Sequence, residues 1–392
     1  MDMNLSLNLS ILSKELRLIL EIMKMKYSDS VDLTKKGMFT DIDWELFLQM
    51  SMHHRVYPII YSKLKIIDPK LVPPYVFQTL NREYKKNTFQ MLHLSGEMGQ
   101  LGKLFNENQI RILFLKGPVI ASDIYGDISL RTSKDLDILV PITDLEKVEE
   151  IILNFGYVRV GETTLQNEVK WKGYHVAYFN PIKKVLLEVH WRLQPLPLNV
   201  PSFNELWERK RVSNITSIPV NMLGEEDLFL YLVSHGARHG WFRLRWLLDI
   251  DYMLRKGFHL DQCNALMEKY HIPHIIGQAL ILSSQLLKSP IKEEMIPLLE
   301  GNRSKKLAQN TIFFIREMVP LDIITSTYNY KRYLFSLNTS YLQKTIHIIL
   351  LFYPNTMDEK TLKLPKSIYF LYFPLRPFLL IWRKRKKMYQ LK

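Results

Sequence analysis

The stretch Lys134-Asp135-Leu136-Asp137-Ile138-Leu139-Val140 decides the expected fold. Apolar residues alternate with two aspartates before Pro141, which predicts a short buried strand. Side chains on a strand alternate between its faces, so Asp135 and Asp137 point to the same side. Neighbouring carboxylates repel each other, and a cation such as Mg²⁺ binds one or two carboxylates together with substrate phosphates. The pattern predicts a metal and phosphate site, or else two aspartates that only cap the strand.

Segments on both sides of this strand predict a small mixed sheet. An apolar run at 111–115 ends in Lys116-Gly117-Pro118 and indicates a buried strand followed by a turn. Two further apolar runs, 174–179 and 184–191, flank Asn180-Pro181 and predict an antiparallel hairpin. Helical patterns at 119–125 and 144–155 lie between these strands.

The rest of the chain has the apolar spacing of helices. We therefore expect an α+β fold, in which a small mixed sheet with flanking helices is embedded between N-terminal and C-terminal helical regions. The expected parts are an N-terminal helical region (1–105), a catalytic core (106–200) and a C-terminal helical region with an aromatic and basic tail (201–392). A proline-rich stretch at 194–201 fits a linker.

Composition limits the class of protein. The 392 residues include 53 Lys and Arg against 39 Asp and Glu, a formal net charge of +14. This excess implies acidic partners, namely nucleotides, phosphorylated substrates, nucleic acid or anionic lipid. The hydrophobic share of 47% excludes a disordered chain, and the single Cys263 excludes a disulfide framework. No signal peptide or apolar stretch of about 20 residues is seen, so a cytoplasmic protein is expected.

Several other residues are candidates for phosphate and metal contacts. Lys116 and Gly117 form either a phosphate-binding turn or a plain strand-ending turn. Arg131 and Ser133 either bind phosphate oxygens or belong to a solvated loop, where Arg131 would pair with Asp127.

The hairpin carries two more candidates. Glu188 and His190 share one strand face, so Glu188 either joins the aspartate pair as a third carboxylate or is an edge-strand charge. For His190, a satisfied, half-buried imidazole is favoured over a direct metal ligand.

These motifs together resemble the nucleotidyltransferase family of the polymerase-β-type superfamily, including its uncharacterised and toxin-type branches. The resemblance rests on four stretches within residues 85–260. They are Phe114-Leu115-Lys116-Gly117, Tyr125-Gly126-Asp127, Arg131-x-Ser133-x-Asp135-Leu136-Asp137 and Leu187-Glu188-Val189-His190-Trp191. Downstream stretches at 231–236 and 244–250 resemble the helical segment of that family.

The resemblance implies two-metal nucleotidyl transfer from an NTP, with release of pyrophosphate. Asp135, Asp137 and Glu188 would hold two Mg²⁺ ions. The nucleotide-binding residues would be Lys116, Gly117, Arg131, Ser133 and Lys134. The acceptor would be a hydroxyl or phosphate of a modified peptide, a sugar or another small molecule.

Two other functions stay open at this point. One is a transferase with the same fold that uses a nucleotide-sugar donor to glycosylate a phosphorylated peptide. The other is a catalytically silent module that binds nucleotides or nucleic acid, which the basic charge supports. Three converging acids argue against a pure binder, and an RNA acceptor is not excluded.

A second group of residues would line a substrate cleft. His235 and His239 are four residues apart on a predicted helix and therefore share a face, which suits either a zinc pair or, as we favour, a polar cleft wall. Arg243 and Arg245 follow them and either reach an anionic substrate or form ion pairs between helices.

The last segment, 368–392, combines an aromatic run with the basic run Arg383-Lys384-Arg385-Lys386-Lys387. Prolines 374 and 377 argue against a membrane span. The segment is predicted either to rest on an anionic membrane or a protein partner, or to pack on the core as a final helix with a solvated basic end.

Overall fold

A computed structural model describes residues 6–25, 37–161, 173–258, 263–318, 325, 327–354 and 356–389. Its architecture confirms the predicted α+β class, because helices precede and follow the strands of a mixed sheet along the chain. No described helix is long and apolar enough to cross a membrane.

The sheet is built from seven strands of the described chain, in the order β3-β4-β5-β2-β1-β7-β6. Their bounds are β1 (Leu113–Phe114), β2 (Asp135–Leu139), β3 (Val158–Arg159), β4 (His175–Asn180), β5 (Val185–His190), β6 (Arg211–Ser213) and β7 (Val220–Met222). The pairs β2–β5 and β1–β7 are parallel, and the others are antiparallel.

Seven α-helices of the described chain precede the strands in sequence or lie between them. They are α1 (Lys14–Lys24), α2 (Trp44–His53), α3 (Tyr57–Leu64), α4 (Pro74–Glu107), α5 (Pro118–Tyr125), α6 (Leu145–Asn154) and α7 (Phe203–Glu208). The long helix α4 buries one apolar stripe that includes Leu80, Met91 and Leu101, and it packs against α3 and α5. This packing follows from its apolar residues recurring every three to four positions.

The later helices form a second layer. They are α8 (Glu225–Arg238), α9 (Leu244–Arg255), α10 (Asn264–Tyr270), α11 (Pro273–Leu287), α12 (Ile296–Glu300), α13 (Asn302–Arg316), α14 (Tyr328–Leu337), α15 (Tyr341–Phe352), α16 (Thr356–Thr361) and α17 (Tyr372–Tyr389). Helices α8, α9 and α11 pack against one another, and α9 also contacts α5. Cys263, the residue before α10, is fully buried in the core.

The structure confirms the predicted strand at the aspartate pair and the predicted hairpin, with end residues shifted by one or two positions. It also adds strands that the sequence did not predict. Strands β6 and β7 lie within 201–392, a region expected to be helical, and β7 joins the sheet through the pair Phe114 and Met222. Their three-residue length leaves too little alternation to reveal a strand in the sequence.

Candidate active site

Two neighbouring parallel strands bring three carboxylates together. Asp137 on β2 lies directly opposite Glu188 on β5, and Asp135 is one pleat away on the same face. Burial, reinforced by the negative charge of Asp137, raises the pKa of Asp135. Pairing of β2 with β5 thus assembles a set of acids from segments about fifty residues apart.

Asp137 is the centre of this group and is completely buried. Its Oδ1 lies 2.8 Å from Lys116 Nζ and 3.1 Å from His190 Nε2. Burial alone would raise the pKa of Asp137, but the charge of Lys116 and the hydrogen bond from His190 hold it well below its usual range. Asp137 is therefore an anion whose charge is balanced mainly by Lys116.

The donor set fits a metal ion. Ligand atoms of Asp137, Glu188 and His190 all lie within 4.8 Å of one another. His190 Nε2 is 3.3 Å from Glu188 Oε2, and this contact lowers the pKa of Glu188 against the effect of burial. Asp137 Oδ2 is buried without a hydrogen-bond partner in the part of the chain that the structure describes, so this carboxylate oxygen is available to a cation. His190 is thus closer to a ligand position than the sequence suggested.

A cavity of about 230 Å³, which we call the central cavity, opens above these acids. Ten residues singled out in the sequence line its wall: Lys116, Arg131, Ser133, Asp135, Glu188, His190, His235, His239, Arg243 and Arg245. The structure therefore gathers most of the predicted residues around one space, and their roles in it are proposals.

Three predicted residues lie outside this wall. Asp137 contacts the wall residues Lys116 and His190 but is itself covered by them. Gly117 begins α5 with a φ of 81°, a left-handed conformation that favours glycine. Lys134 is exposed and faces an adjoining groove.

Arg131 has a partner that the sequence did not indicate. Its Nε and Nη2 donate to the two carboxylate oxygens of Asp249 on α9, at 2.8 and 3.0 Å. The expected alternative partner, Asp127, instead caps a short 3₁₀ helix through Ser129. Both partners of the pair are buried, with 1% and 0% of the side chain exposed. Nη1 of Arg131 has no hydrogen-bond partner among the described residues and is available to a phosphate oxygen.

His235 lies on α8 and His239 is the C-cap of that helix; their ring centroids are 4.6 Å apart, and both rings contact Trp246 of α9. Burial lowers the pKa of each well below its ordinary value. The two histidines are therefore neutral, and they belong to an aromatic wall that includes Tyr174 and Tyr231.

Arg245 is a buried cation without an anionic partner. Its Nη1 donates to the carbonyl of Thr132, and no carboxylate of a described residue lies within 4 Å. Burial, together with the charges of Arg131 and Arg55, lowers the pKa of Arg245 to about 9. The ion pairs that the sequence allowed for Arg243 and Arg245 are thus not formed within the described chain, and both residues face the cavity.

Other wall residues had no clear signal in the sequence. Arg55 lies just after α2 with a φ of 56°. Burial lowers the pKa of Arg55, and the nearby negative charge of Asp135 opposes that effect. His175 stacks on His190 across the β4–β5 pair, with ring centroids 5.0 Å apart. Arg238 donates to the hydroxyl of Tyr174 at 3.0 Å. Only three-dimensional packing shows that these residues belong to one site.

The buried histidines predict a loss of stability in mild acid. Burial lowers the pKa of His54 to about 3 and that of His274 to about 4, so the folded protein stays unprotonated where the unfolded chain binds protons. Stability should fall as the pH drops below about 6.5, by about 2 kcal/mol per such histidine at pH 5. Urea unfolding at pH 7.5 and pH 5 measures this loss.

A His274→Gln variant is the control, because Gln can still donate to the Leu337 carbonyl that His274 Nε2 contacts at 2.8 Å. Its loss of stability between the two pH values should be smaller by about 2 kcal/mol. An unchanged pH dependence would show that His274 is protonated in the folded protein.

A family model described as Uncharacterised nucleotidyltransferase matches residues 40–288, well over half of the chain. Neither a curated protein nor a solved structure matches. The matched residues include every described strand and all the residues that line the central cavity.

Proposed function

Because the chain belongs to the family of uncharacterised nucleotidyltransferases, which are enzymes, we propose that it transfers a nucleotidyl group from an NTP. An oxygen of the acceptor attacks the α-phosphorus of the NTP. The bond from that phosphorus to the β-phosphate bridging oxygen breaks, pyrophosphate leaves, and the acceptor oxygen loses its proton.

The register of β2 and β5 carries this proposal. It sets Asp135, Asp137 and Glu188 on one face, beside a cavity that is also lined by Arg243 and Arg245, which form no ion pair with a described residue. An Asp-x-Asp strand beside a third carboxylate also supports placing the chain in the polymerase-β-type superfamily.

Asp135, Asp137 and Glu188 would hold two Mg²⁺ ions, with His190 as a further donor. When bound, Mg²⁺ supplies Lewis-acid activation of the phosphoryl group and lowers the pKa of a coordinated hydroxyl. The unpartnered Oδ2 of Asp137 is the observation that supports a cation here.

The chain's own cations would bind the phosphates. Lys116 is held at the acids by Asp137, and Arg245 has no carboxylate within 4 Å in the described chain. An incoming triphosphate would give Arg245 the anionic partner that it lacks, in a setting where charge-assisted hydrogen bonds are strong. The aromatic wall around Trp246 would exclude water and pack against the nucleoside.

The proposal is tested by incubating the purified protein with Mg²⁺, each of the four NTPs and a small-molecule cell extract. We expect pyrophosphate release with at least one NTP, and loss of that release in an Asp135→Ala/Asp137→Ala variant. Nucleotide sugars are tested in parallel.

Other results of this experiment would identify a different donor or a different function. Turnover with a nucleotide sugar alone would replace the NTP by that donor. Nucleotide binding without turnover of any donor would leave the silent binding module, and oligonucleotide binding that falls steeply with salt would favour nucleic acid as the ligand.

Arg245 gives a prediction that separates function from stability. Replacing Arg245 by Met should weaken NTP binding by about 10- to 100-fold, since a hydrogen bond to a charged group contributes about 1.5 to 3 kcal/mol. The melting temperature of the free protein should stay the same or rise, because the variant removes an unpaired buried charge. Calorimetric titration and thermal unfolding measure the two effects.

Arg209→Met is the matched control. Arg209 donates to both oxygens of the buried Asp227, at 2.8 and 2.9 Å, away from the cavity. This variant should lose stability and keep NTP affinity. If Arg245→Met behaves like Arg209→Met, then Arg245 has a structural role only.

A further inference from the structure

We propose that the groove beside the central cavity binds a phosphate group of the acceptor, so that the acceptor is a phosphorylated small molecule. The groove has a volume of about 770 Å³. Its cations are Arg55, Lys86, Lys134, Lys184 and Arg243. This inference rests on the proposed function, because it assigns the second substrate of the same reaction.

The charged residues that line the groove are all positive among the described residues. No Asp or Glu lines it in the described chain, and the other lining residues are neutral, including Asn87, Gln90, Thr132 and Ser133. Lys86 is paired with Glu83 at 2.8 Å. The other four cations have no carboxylate within 4 Å among the described residues. Such a surface attracts an anion and raises its local concentration.

The groove is continuous with the site of the proposed reaction. Arg55, Ser133 and Arg243 line both the groove and the central cavity. Ser133 Oγ lies 3.3 Å from Asp135 Oδ1 and also donates to the carbonyl of Asp135 at 3.1 Å. A molecule bound in the groove would therefore have one end beside the catalytic acids.

The two spaces differ in a way that assigns their ligands. Aromatic rings of Tyr174, Tyr231 and Trp246 line the central cavity, whereas Tyr57 and His53 are the groove's rings in the described chain. A nucleobase needs apolar faces, and phosphate oxygens need cations and N–H donors. The donor nucleotide fits the central cavity, and the phosphate of the acceptor fits the groove.

Titration of inorganic phosphate tests this assignment. The protein is first saturated with Mg²⁺ and a non-hydrolysable NTP analogue, and phosphate is then added in a calorimeter. We expect phosphate still to bind, and a Lys134→Glu/Lys184→Glu variant to bind it about tenfold more weakly or worse. The control, Lys85→Glu/Lys103→Glu, makes the same charge change on exposed positions of α4 and should bind phosphate within about twofold of the wild type.

The outcomes distinguish failure of the phosphate site from failure of the proposed function. If phosphate no longer binds once the analogue is in place, the groove is part of the donor site and the inference is overturned. Equal weakening in both variants would show only a general effect of net charge and would also overturn it. If no NTP analogue binds but the groove variant alone loses phosphate, the proposed function fails while the anion site stands.

A second measurement uses turnover. Labelled product formed from α-³²P-NTP and a small-molecule extract should disappear when the extract is first treated with phosphatase, which is then removed. Product that survives this treatment would show that the acceptor carries no accessible phosphate.

From a different observation we also infer that the last helices bind an anionic membrane surface. Helices α15 and α17 pack together, yet both expose large apolar side chains. These are Tyr341, Leu342, Ile348, Ile349, Leu351 and Phe352 on α15, and Phe373, Phe378, Leu380, Ile381 and Trp382 on α17. Large apolar side chains exposed together on two neighbouring helices mark an interaction surface more often than scattered single ones do.

The sequence next to this face identifies the partner. Residues 384–387 are four consecutive cations that follow the exposed Trp382 and Arg383, and Arg383 itself pairs with the buried Asp358 at 2.8 Å. Aromatic side chains combined with lysines and arginines match the interface of a bilayer that contains anionic lipid. The side chains of 384–389 and all of 390–392 lie outside the described residues.

Sedimentation with vesicles tests this surface. The full chain should bind vesicles of phosphatidylglycerol and phosphatidylcholine more than vesicles of phosphatidylcholine alone. Phe378→Ser/Trp382→Ser should lose binding, whereas Phe89→Ser, which changes an exposed ring on α4, should keep it. If the full chain does not sediment with either kind of vesicle, the inference is overturned. If, in addition, the wild type is a dimer by light scattering and Phe378→Ser/Trp382→Ser is a monomer, the exposed face binds a second copy of the chain.

Discussion

An Asp137→Asn protein is expected to lose nucleotidyl transfer by about a thousandfold or more, because metal coordination contributes several kcal/mol of transition-state stabilisation. Asp137 lies at the centre of the site, where it contacts Lys116 and His190 and faces Glu188 across the β2–β5 pair. Asparagine has nearly the same shape but lacks the negative charge. The measurement is pyrophosphate release per mole of folded enzyme.

The same change should also affect folding. Removing the charge of Asp137 leaves Lys116 as a buried cation without its 2.8 Å partner, and breaking such a pair costs about 3 to 5 kcal/mol. A double variant, Asp137→Asn/Lys116→Met, removes both charges and should recover most of that stability without recovering activity. This separates loss of the reaction from loss of the fold.

Asp123→Asn is the matched control for this experiment. Asp123 also forms an ion pair, with Arg211 at 2.8 Å, but it lies on α5 outside the central cavity. Its variant should keep activity within a few fold. If Asp137→Asn/Lys116→Met is folded and retains normal turnover, the proposed reaction does not use this carboxylate.

The second large effect is expected at Asp249. Asp249→Asn should destabilise the protein by about 3 to 5 kcal/mol, because it leaves the buried guanidinium of Arg131 without a counter-charge. Arg131 makes two hydrogen bonds to Asp249, and the hydroxyl of Tyr125 donates a third at 2.7 Å. The free energy of unfolding in urea measures the effect.

The pair joins the loop before β2 to helix α9, so its role is expected to be positioning. The double variant Arg131→Met/Asp249→Leu should recover most of the stability, since apolar groups can replace a buried pair. Asp251→Asn is the comparison, because Asp251 pairs on its own helix with the partly exposed Arg255 and should cost less. Equal losses at Asp249 and Asp251 would contradict a special role for the buried pair.

Local patterns were sufficient to predict the central strands. The alternation around Asp135 and Asp137 predicted β2, and the apolar runs around Asn180-Pro181 predicted the hairpin. Such patterns depend on side chains that are near in sequence, so the sequence alone reveals them. The short strands β3, β6 and β7 have too few residues to show any pattern.

Partners distant in sequence could not be predicted. Arg131 and Asp249 are 118 residues apart, and the sequence suggested the much nearer Asp127. The sequence likewise identified Arg245 as a candidate but did not show that it is buried with no carboxylate of a described residue within 4 Å. Both facts depend on how α8 and α9 pack against each other and how α9 packs against α5, which many weak long-range contacts decide together.

By itself, the sequence determined the α+β class and the basic character of the chain, and it indicated Asp135, Asp137 and Glu188 as candidate site residues, because strand periodicity and residue chemistry are local properties. Only the tertiary structure decided that β2 and β5 pair in parallel with Asp137 opposite Glu188 and that Lys116 neutralises Asp137. It also decided that a groove lined by no Asp or Glu of the described residues adjoins the cavity. Burial and the meeting of distant charges arise when separate segments pack, and a linear pattern does not record that packing.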